Sequence, residues 1–251
     1  MKNIVLLHIP HSRLKLTKEF KNTKKFIDEN EIKNFNMTIT DLFTNELFSF
    51  HKFNHIKAKY SRICCDMEKF ADDKIESMSK YGMGVVYTKT NQNKSFINCD
   101  DIYKELVLKK YYYPYHDKLN KSTQKYLEKN KPVILVDCHS FSEEIIMNGN
   151  THDLPEICIG SNENSKNDLE LLKFTNEYFQ KLGYKTAINY PYSGSMIPNN
   201  LIDTPNDKFT SIMVEINRST YLKEFKKTKN FVKLKKDIYS YLIYLKNYQF
   251  N

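Results

Sequence analysis

The sequence lacks several features, and some of these absences exclude a class of protein. It has no tryptophan, only 6 glycines, and no apolar run near the ~18 residues that a membrane-spanning helix needs. No serine stands in a Gly-x-Ser-x-Gly motif, which argues against an α/β serine hydrolase. The 5 cysteines have no CxxC spacing, so we expect thiols in a reducing compartment rather than a zinc knuckle or a disulfide framework. The apolar stretch near the amino terminus is too short for a signal peptide, and we expect a cytoplasmic protein.

Arginine is scarce as well. Of 39 lysine and arginine residues, only Arg13, Arg62 and Arg218 are arginines. Where lysine supplies generic positive charge, a remaining arginine is a candidate for a place that needs a planar fork to grip a carboxylate. We interpret Arg62 and Arg218 as candidates for such a grip, or for polarising a scissile carbonyl, and structural ion pairs are the alternative.

The net charge of +9 comes from lysines that are spread along the chain. A basic protein can bind nucleic acid, but no RNA-recognition or helix-turn-helix signature accompanies these lysines. We interpret most of them as solvated helix surfaces that also attract a small acidic substrate. We therefore expect neither a nucleic-acid partner nor a membrane partner.

Apolar strands alternate with amphipathic helices along the chain. We predict strands over residues 2–7, 60–65, 84–88, 132–138, 156–160, 185–189 and 211–216, and helices over 17–30, from Thr40 onward, 100–113, 115–129, 167–182 and 228–247. This order predicts one α/β domain over residues 1–251. We expect a three-layer α/β/α arrangement around a mixed, mostly parallel sheet, like that of phosphorylase/hydrolase folds.

Titratable side chains follow three of the predicted strands. His11 follows the first strand, His139 follows the strand over 132–138, and Glu215 lies at the end of the last strand. Ligands bind beyond the carboxyl ends of strands in open α/β sheets, so we expect these side chains to meet in one crevice. Converging imidazoles and carboxylates indicate a hydrolytic metal centre. His8 is the alternative histidine ligand, with His11 then in a supporting role.

A series of motifs runs through the chain in a fixed order. They are His8-Ile9-Pro10-His11-Ser12; Thr40-Asp41 with Thr44-Asn45-Glu46-Leu47-Phe48; Ser61-Arg62 with Asp66-Met67-Glu68-Lys69-Phe70-Ala71-Asp72-Asp73; Gly82-Met83-Gly84-Val85; Tyr115-His116; Asp137-Cys138-His139-Ser140-Phe141; Pro155-Glu156-Ile157-Cys158-Ile159-Gly160; Tyr190-Pro191-Tyr192-Ser193-Gly194; and Glu215-Ile216-Asn217-Arg218. In this joint order they resemble the N-formylglutamate amidohydrolase family over nearly the whole length. Arg13 and Lys69 depart from the family pattern, which usually has glycine and arginine there.

The resemblance implies a carboxypeptidase-like fold and an amidohydrolase with one Zn²⁺ per chain. The ligands that it implies are His11, Asp41 and His139, which leave a coordination position open for water. Glu46 or Asp66 could replace Asp41, whose alternative role is to cap a helix.

Glu215 is the expected general base and acid. It would accept a proton from the attacking water and pass it to the leaving nitrogen, and its alternative is a structural carboxylate paired with Arg218. Arg62 and Arg218 are expected to contact the substrate and to assist catalysis.

Four further residues are candidates for substrate binding, and each has a structural alternative. They are Lys69, His116, Ser193 and Gly194. Lys69 could belong to a charged network, His116 could be a packed histidine near a helix start, and the Ser193-Gly194 pair could be a plain turn.

The sequence therefore predicts metal-dependent hydrolysis of a linear amide in N-formylglutamate or a related acidic N-acyl amino acid. One alternative is an amidase that uses the same site on a peptide or a cell-wall fragment. Another is a non-catalytic binding protein derived from the fold. The departures at Arg13 and Lys69 keep this alternative open, since lysine cannot reproduce the fork of an arginine.

Overall fold

The computed structural model describes residues 2–143 and 153–250. The strands are Ile4–Ile9 (β1), Asn54–Lys57 (β2), Val133–Phe141 (β3), Ile157–Gly160 (β4), Thr186–Ile188 (β5), Phe209–Asn217 (β6), Leu222–Lys223 (β7) and Lys226–Lys227 (β8). The helices are Lys18–Asn22 (α1), Glu29–Ile39 (α2), Thr44–Leu47 (α3), Asp101–Val107 (α4), Tyr113–Leu127 (α5), Lys166–Lys181 (α6), Asn199–Ile202 (α7) and Asn230–Asn247 (α8). A π-helical turn, Leu108–Tyr112, joins α4 to α5, and short 3-10 helices span Ser79–Tyr81 and Arg218–Thr220.

Six strands form one mixed sheet in the order β2-β1-β3-β6-β4-β5. Strands β1, β3 and β6 run parallel, β4 is antiparallel to β6, and β5 is parallel to β4. Helices lie on both sides of the sheet, so the predicted α/β fold with a mixed, mostly parallel sheet is confirmed. The strand predicted over 60–65 is wrong, because that segment forms a turn in which the N–H of Cys64 bonds to the carbonyl of Ser61.

The central strands β3 and β6 hold Asp137, His139 and Glu215 toward their carboxyl ends. All 9 residues of β3 are buried, which explains why its first half, Val133–Val136, is an apolar run rather than an alternation. The register pairs His8 with Asp137 and His139 with Glu215. Paired residues on parallel strands, and residues two apart on one strand, share a face. These four side chains therefore project from one face of the sheet at the carboxyl ends of its strands.

The chain divides into two compact units, each built from separate segments. Unit 1 comprises Met1–Ile9, Phe43–Ile56 and Leu119–Asn251, and unit 2 comprises Pro10–Leu42 and Lys57–Lys118. Unit 1 contains nearly all of the six-stranded sheet, and unit 2 contains α1, α2, α4 and the segments that connect them. A single domain over residues 1–251 stays a prediction.

Two helix predictions near the amino terminus are wrong. The lysine-rich segment 17–30 does not form one helix: α1 ends at Asn22, and α2 begins at Glu29 after the side chain of Asp28 caps it. Thr40 does not open a helix but closes α2, since its N–H bonds to a carbonyl in the last turn. A threonine can serve at either end of a helix, so the residue type alone does not distinguish a start from a stop.

The carboxyl-terminal helix α8 confirms the amphipathic helix predicted over 228–247. Its buried residues recur at helical spacing: Phe231, Leu234, Ile238, Tyr241, Leu242 and Leu245. This spacing gives one apolar face that packs inward. Across residues 2–143 and 153–250, no helix combines the length and the apolar character that crossing a bilayer requires.

Candidate active site

Three side chains in unit 1 form a hydrogen-bonded cluster at the carboxyl end of the central strands. Asp137 Oδ1 lies 2.7 Å from His8 Nδ1 and 2.9 Å from His139 Nε2. The exposed fractions are 0% for His8, 2% for Asp137 and 4% for His139. One possible ligand atom from each residue lies within 4.8 Å of the others. A single buried carboxylate therefore orients two imidazole rings.

Asp137 is held in its ionised form. Burial alone would raise the pKa of its carboxyl group, but the neighbouring His139 and His8 hold that pKa well below the ordinary range. Its second oxygen, Oδ2, accepts the backbone N–H of Met196 at 2.9 Å. Asp137 thus connects the two histidines to the loop that follows β5.

The ring of His139 has the orientation that metal-binding histidines adopt. An ionised Asp137 can only accept hydrogen bonds, so in the neutral ring Nε2 carries the proton and Nδ1 carries the lone pair. Histidine ligands of metals ordinarily donate their second ring N–H to a carboxylate in this manner. The residues present in unit 1 therefore fit a metal ligand at His139.

Strand β6 delivers a carboxylate and a guanidinium to its carboxyl end. Glu215 is in register with His139 and is 7% exposed. Arg218 opens the 3-10 helix that follows and is 5% exposed. The side chain of Asn217 fixes this turn by accepting the N–H of Ser219 at 3.1 Å. Both charged groups are thus set by the end of a central strand.

The loop after β5 carries Ser193 and Gly194, two of the predicted substrate contacts. The side-chain oxygen of Asn189 accepts the N–H of Gly194 at 3.3 Å and the N–H of Ser161 at 2.9 Å. Gly194 has a φ of +79°, which favours glycine. Gly160 is the last residue of β4, and a Cβ added to it would lie 2.3 Å from the carbonyl oxygen of Gly194. The close approach of the loop to β4 therefore requires glycine at position 160. Ser193 itself is exposed.

His11 belongs to a second buried cluster, in unit 2. Its Nε2 lies 2.8 Å from Asp66 Oδ1, and its Nδ1 lies 3.5 Å from Glu68 Oε2 and 4.0 Å from Asp41 Oδ2. The N–H of Asp41 bonds to the carbonyl of His11 at 3.0 Å, which fixes the spacing of these two segments. His11 and Asp41 are each 2% exposed. His11 and Asp41 thus place an imidazole nitrogen and a carboxylate oxygen near each other, and both are ligand types that zinc accepts.

Asp66 lies at the centre of the second cluster. Its Oδ2 accepts hydrogen bonds from Arg62 Nε at 3.0 Å and from the Tyr87 hydroxyl at 2.9 Å, and Arg62 Nη2 lies 2.9 Å away. Burial would raise the pKa of the Asp66 carboxyl group, but the charges of Arg62 and His11 hold that pKa well below its ordinary range. Burial would likewise lower the pKa of Arg62, and Asp66 raises it well above the ordinary value.

This geometry favours the structural ion pair that is the alternative for Arg62. Its guanidinium is already engaged with Asp66, and its side chain is 17% exposed. The roles of Arg62 and Arg218 in catalysis and substrate binding stay predictions, as do the metal ligands and Glu215.

Two further candidates in unit 2 both contact Tyr112. Lys69 Nζ lies 3.5 Å from Glu76 Oε1, and the carbonyl of Lys69 accepts the Tyr112 hydroxyl at 2.9 Å. His116 lies in α5, is 5% exposed, and has its ring centroid 4.2 Å from that of Tyr112. These contacts favour the charged network and the packed histidine, and substrate binding by either residue stays a prediction.

Sequence reasoning did not assign site roles to Asp137, Glu68 and Tyr87. Asp137 could have been found, because it stands two residues before His139 on one strand and so shares its face. Glu68 and Tyr87 lie outside regular strands and gave no periodic signal. Glu46, an alternative third ligand, is 45% exposed and forms an ion pair with Lys227, which argues against that role.

Comparison with known proteins gives a family and a fold. The model of the N-formylglutamate amidohydrolase family matches residues 4–222. The crystal structure of N-formylglutamate amidohydrolase from Ralstonia eutropha JMP134 has a TM-score of 0.80 and 16% identity, covering 99% of this chain and 95% of that chain. The crystal structure of a gene product from Agrobacterium tumefaciens has a TM-score of 0.67 and 16% identity, covering 96% of this chain and 91% of that one. No curated protein matches the sequence significantly.

Proposed function

Because the chain belongs to the N-formylglutamate amidohydrolase family, we propose that it hydrolyses N-formylglutamate or a closely related acidic N-acyl amino acid. Membership of this family indicates an enzyme that cleaves a linear amide bond. The observation that carries the proposal for this chain is the register of His139 with Glu215 at the carboxyl ends of β3 and β6. An imidazole and a carboxylate at that position are groups that amide hydrolysis by water can use.

The metal in this proposal is zinc, held by His11, Asp41 and His139. The support is chemical: the Nε2 atoms of both histidines lie against buried carboxylates, Asp66 at 2.8 Å and Asp137 at 2.9 Å. Such partners are the ones that histidine ligands of zinc use to fix their rings. When bound, the ion would polarise the amide carbonyl and lower the pKa of water for attack.

Glu215 is the proposed general base and acid. It accepts a proton from the water whose oxygen attacks the acyl carbon, and it then donates that proton to the nitrogen as the carbon–nitrogen bond breaks. With N-formylglutamate the products are formate and glutamate. The low exposure of Glu215 keeps bulk water from competing for this proton.

Arg218 is the proposed grip for a substrate carboxylate. It is 5% exposed and begins the turn after β6, so its guanidinium is shielded from bulk water, where a bidentate pair with a carboxylate is strong. Ser193 and Gly194 are assigned to the same substrate, since the N–H of Met196 ties their loop to Asp137. A cytoplasmic location also stays a prediction.

The identity of the third ligand can be tested directly. Asp41 is the assigned carboxylate, and Glu68 is the competing one, since its oxygen lies closer to His11 Nδ1. Asp41→Asn is expected to lose most bound zinc, and Glu68→Gln is expected to keep it. Zinc loss in Glu68→Gln with retention in Asp41→Asn would transfer the role to Glu68.

The function itself is tested on the purified full-length chain. We expect about one zinc per chain by elemental analysis, and release of formate from N-formylglutamate faster than from N-formylglutamine. Activity that survives complete removal of metal would contradict the zinc proposal. A zinc-loaded protein that hydrolyses none of a panel of N-formyl and N-acetyl amino acids would contradict the proposed activity.

A further inference from the structure

We propose that Asp66, held in place by Arg62 and Tyr87, is a positioning residue that fixes the ring of His11 and makes Nδ1 its metal-binding atom. The inference rests on the proposed function, because it concerns a histidine that we assign as a ligand. It also assigns Arg62 to a role in support of that ligand rather than to the substrate.

Both oxygens of Asp66 are already occupied by protein donors. Oδ1 lies 2.8 Å from His11 Nε2 and accepts the backbone N–H of Glu68 at 3.1 Å. Oδ2 accepts from Arg62 and from the Tyr87 hydroxyl. The Asp66 side chain is fully buried, at 0% exposure. A carboxylate that lies against one ring nitrogen of a ligand histidine, as Asp66 does, has the place of a supporting residue that orients the ring.

The 2.8 Å contact with Asp66 favours Nε2 as the protonated nitrogen of a neutral His11 ring. A carboxylate accepts hydrogen bonds, so Nε2 is the N–H and Nδ1 holds the lone pair in the neutral ring. Nδ1 is also the nitrogen that faces Glu68 and Asp41, at 3.5 Å and 4.0 Å. The pairing with Asp66 therefore presents the coordinating atom toward the acidic side of the cluster.

Arg62 and Tyr87 hold Asp66 by Oδ2, the oxygen that His11 does not contact. Arg62 approaches Oδ2 with Nε and Nη2, while its Nη1 reaches the carbonyl of Ile39 at 3.4 Å and lies 3.8 Å from Asp41 Oδ1. The guanidinium carbon lies 6.0 Å from the centroid of the Tyr87 ring. Only a planar group with several N–H donors can serve these acceptors together, which explains arginine in a lysine-rich chain.

The first test is ¹⁵N NMR of the histidine side chains in the metal-free, full-length protein, with His11 assigned by its absence in His11→Gln. We expect His11 in the Nε2–H tautomer. We expect Asp66→Asn to shift His11 toward a mixture of tautomers, and Glu31→Gln, which changes an exposed carboxylate in unit 2, to leave it unchanged. His11 as the Nδ1–H tautomer, or as an even mixture in the wild type, would overturn the proposal.

The second test is zinc affinity, measured by competition with a chelator. We expect Asp66→Asn to bind zinc roughly 10–100-fold more weakly. Tyr87→Phe removes the hydroxyl that donates to Asp66, and Arg62→Lys replaces the guanidinium fork by a single ammonium group. We expect a smaller loss of zinc affinity in each. If Asp66→Asn does not fold, the zinc affinities of these two variants still decide the test. Unchanged zinc affinity in all folded variants would overturn the proposal.

The two tests separate this inference from the proposed function. If the wild type binds no zinc, the proposed metal-dependent function fails, while the tautomer of His11 still decides whether Asp66 positions the ring. If the wild type binds zinc and cleaves its substrate but His11 is not held as the Nε2–H tautomer, the positioning role alone fails.

Discussion

His139 on β3 is in register with Glu215 on β6, so the candidate metal ligand and the candidate base occupy adjacent positions on parallel strands. Neighbouring strands lie about 4.8 Å apart, and their paired side chains share a face. Their spacing is therefore set by backbone hydrogen bonds in the centre of a buried sheet rather than by flexible loops. Sites built on such elements hold their geometry well.

Glu215→Gln tests the proposed base. Glutamine keeps the shape of glutamate but cannot accept the proton of the attacking water, so turnover should fall by roughly 10² or more. Zinc content should stay unchanged. Glu177→Gln is the matched control, since it replaces a half-exposed glutamate on α6. Near-normal turnover in Glu215→Gln would mean that another group takes the proton.

His139→Ala tests the metal ligand in unit 1. Loss of the imidazole should remove most of the zinc, while the circular dichroism spectrum stays that of a folded protein. His51→Ala, at an exposed position, should keep both zinc and activity. Full zinc occupancy in His139→Ala would show that His139 is not a ligand.

Arg218→Lys tests the carboxylate grip. A lysine replaces the bidentate contact by a point charge, so binding of an acidic substrate should weaken by roughly 1–3 kcal/mol. The catalytic efficiency on N-formylglutamate should therefore fall more than that on N-formylglutamine. Arg62→Lys should affect both substrates alike, because Arg62 acts through Asp66. An equal loss on both substrates in Arg218→Lys would argue for a structural role of Arg218 or an action on the amide oxygen.

The lowered pKa of Glu19 predicts how the free energy of unfolding changes at acid pH. Hydrogen bonds from Lys110 and Tyr111 lower its pKa from 4.5 to about 2. A carboxyl group with a lowered pKa stabilises the fold above pH 4.5, and this contribution is lost as the pH falls toward 2. Lys110 is half-exposed, so solvent screens its interaction with Glu19. We therefore expect ionised Glu19 to contribute roughly 1–3 kcal/mol to the free energy of unfolding.

Urea unfolding between pH 2 and pH 7 measures the contribution of Glu19. Glu19→Gln should be less stable than the wild type at pH 7, and the difference should shrink as the pH falls below 4.5. Lys110→Met should behave similarly, since it removes the first of the two donors. A difference that is constant across this range would show that the carboxylate of Glu19 is not the source.

The cluster in unit 1 could be predicted from sequence, and the cluster in unit 2 could not. Val133–Phe141 and Phe209–Asn217 are long buried strands whose titratable residues stand toward the carboxyl end, so His139 and Glu215 were predictable as strand-end residues. Fold class follows from the same alternation of strands and helices. Both features come from residues that are close together in the sequence, so hydrophobic periodicity detects them.

The contact of His11 with Asp66 has no such signal. The two residues are 55 positions apart, and neither lies in a regular helix or strand. They meet through single contacts between distant irregular segments, such as the hydrogen bond from the N–H of Ser61 to the carbonyl of Lys15. Propensity gives little information on such segments. Nor does the residue type of Thr40 show that it closes α2 rather than opening a helix.

The hydrogen bond from the N–H of Met196 to Asp137 makes ordering of the loop and ordering of the imidazoles a single cooperative event. Fixing a loop and fixing a side chain each carry an entropic cost, and here one carboxylate is shared by both. A change that loosens the loop should therefore broaden the rotamer distribution of His139, even without touching it. A substitution of Ser193 or Gly194 that adapts the loop to a new substrate would therefore also affect His139, which contacts the other oxygen of Asp137.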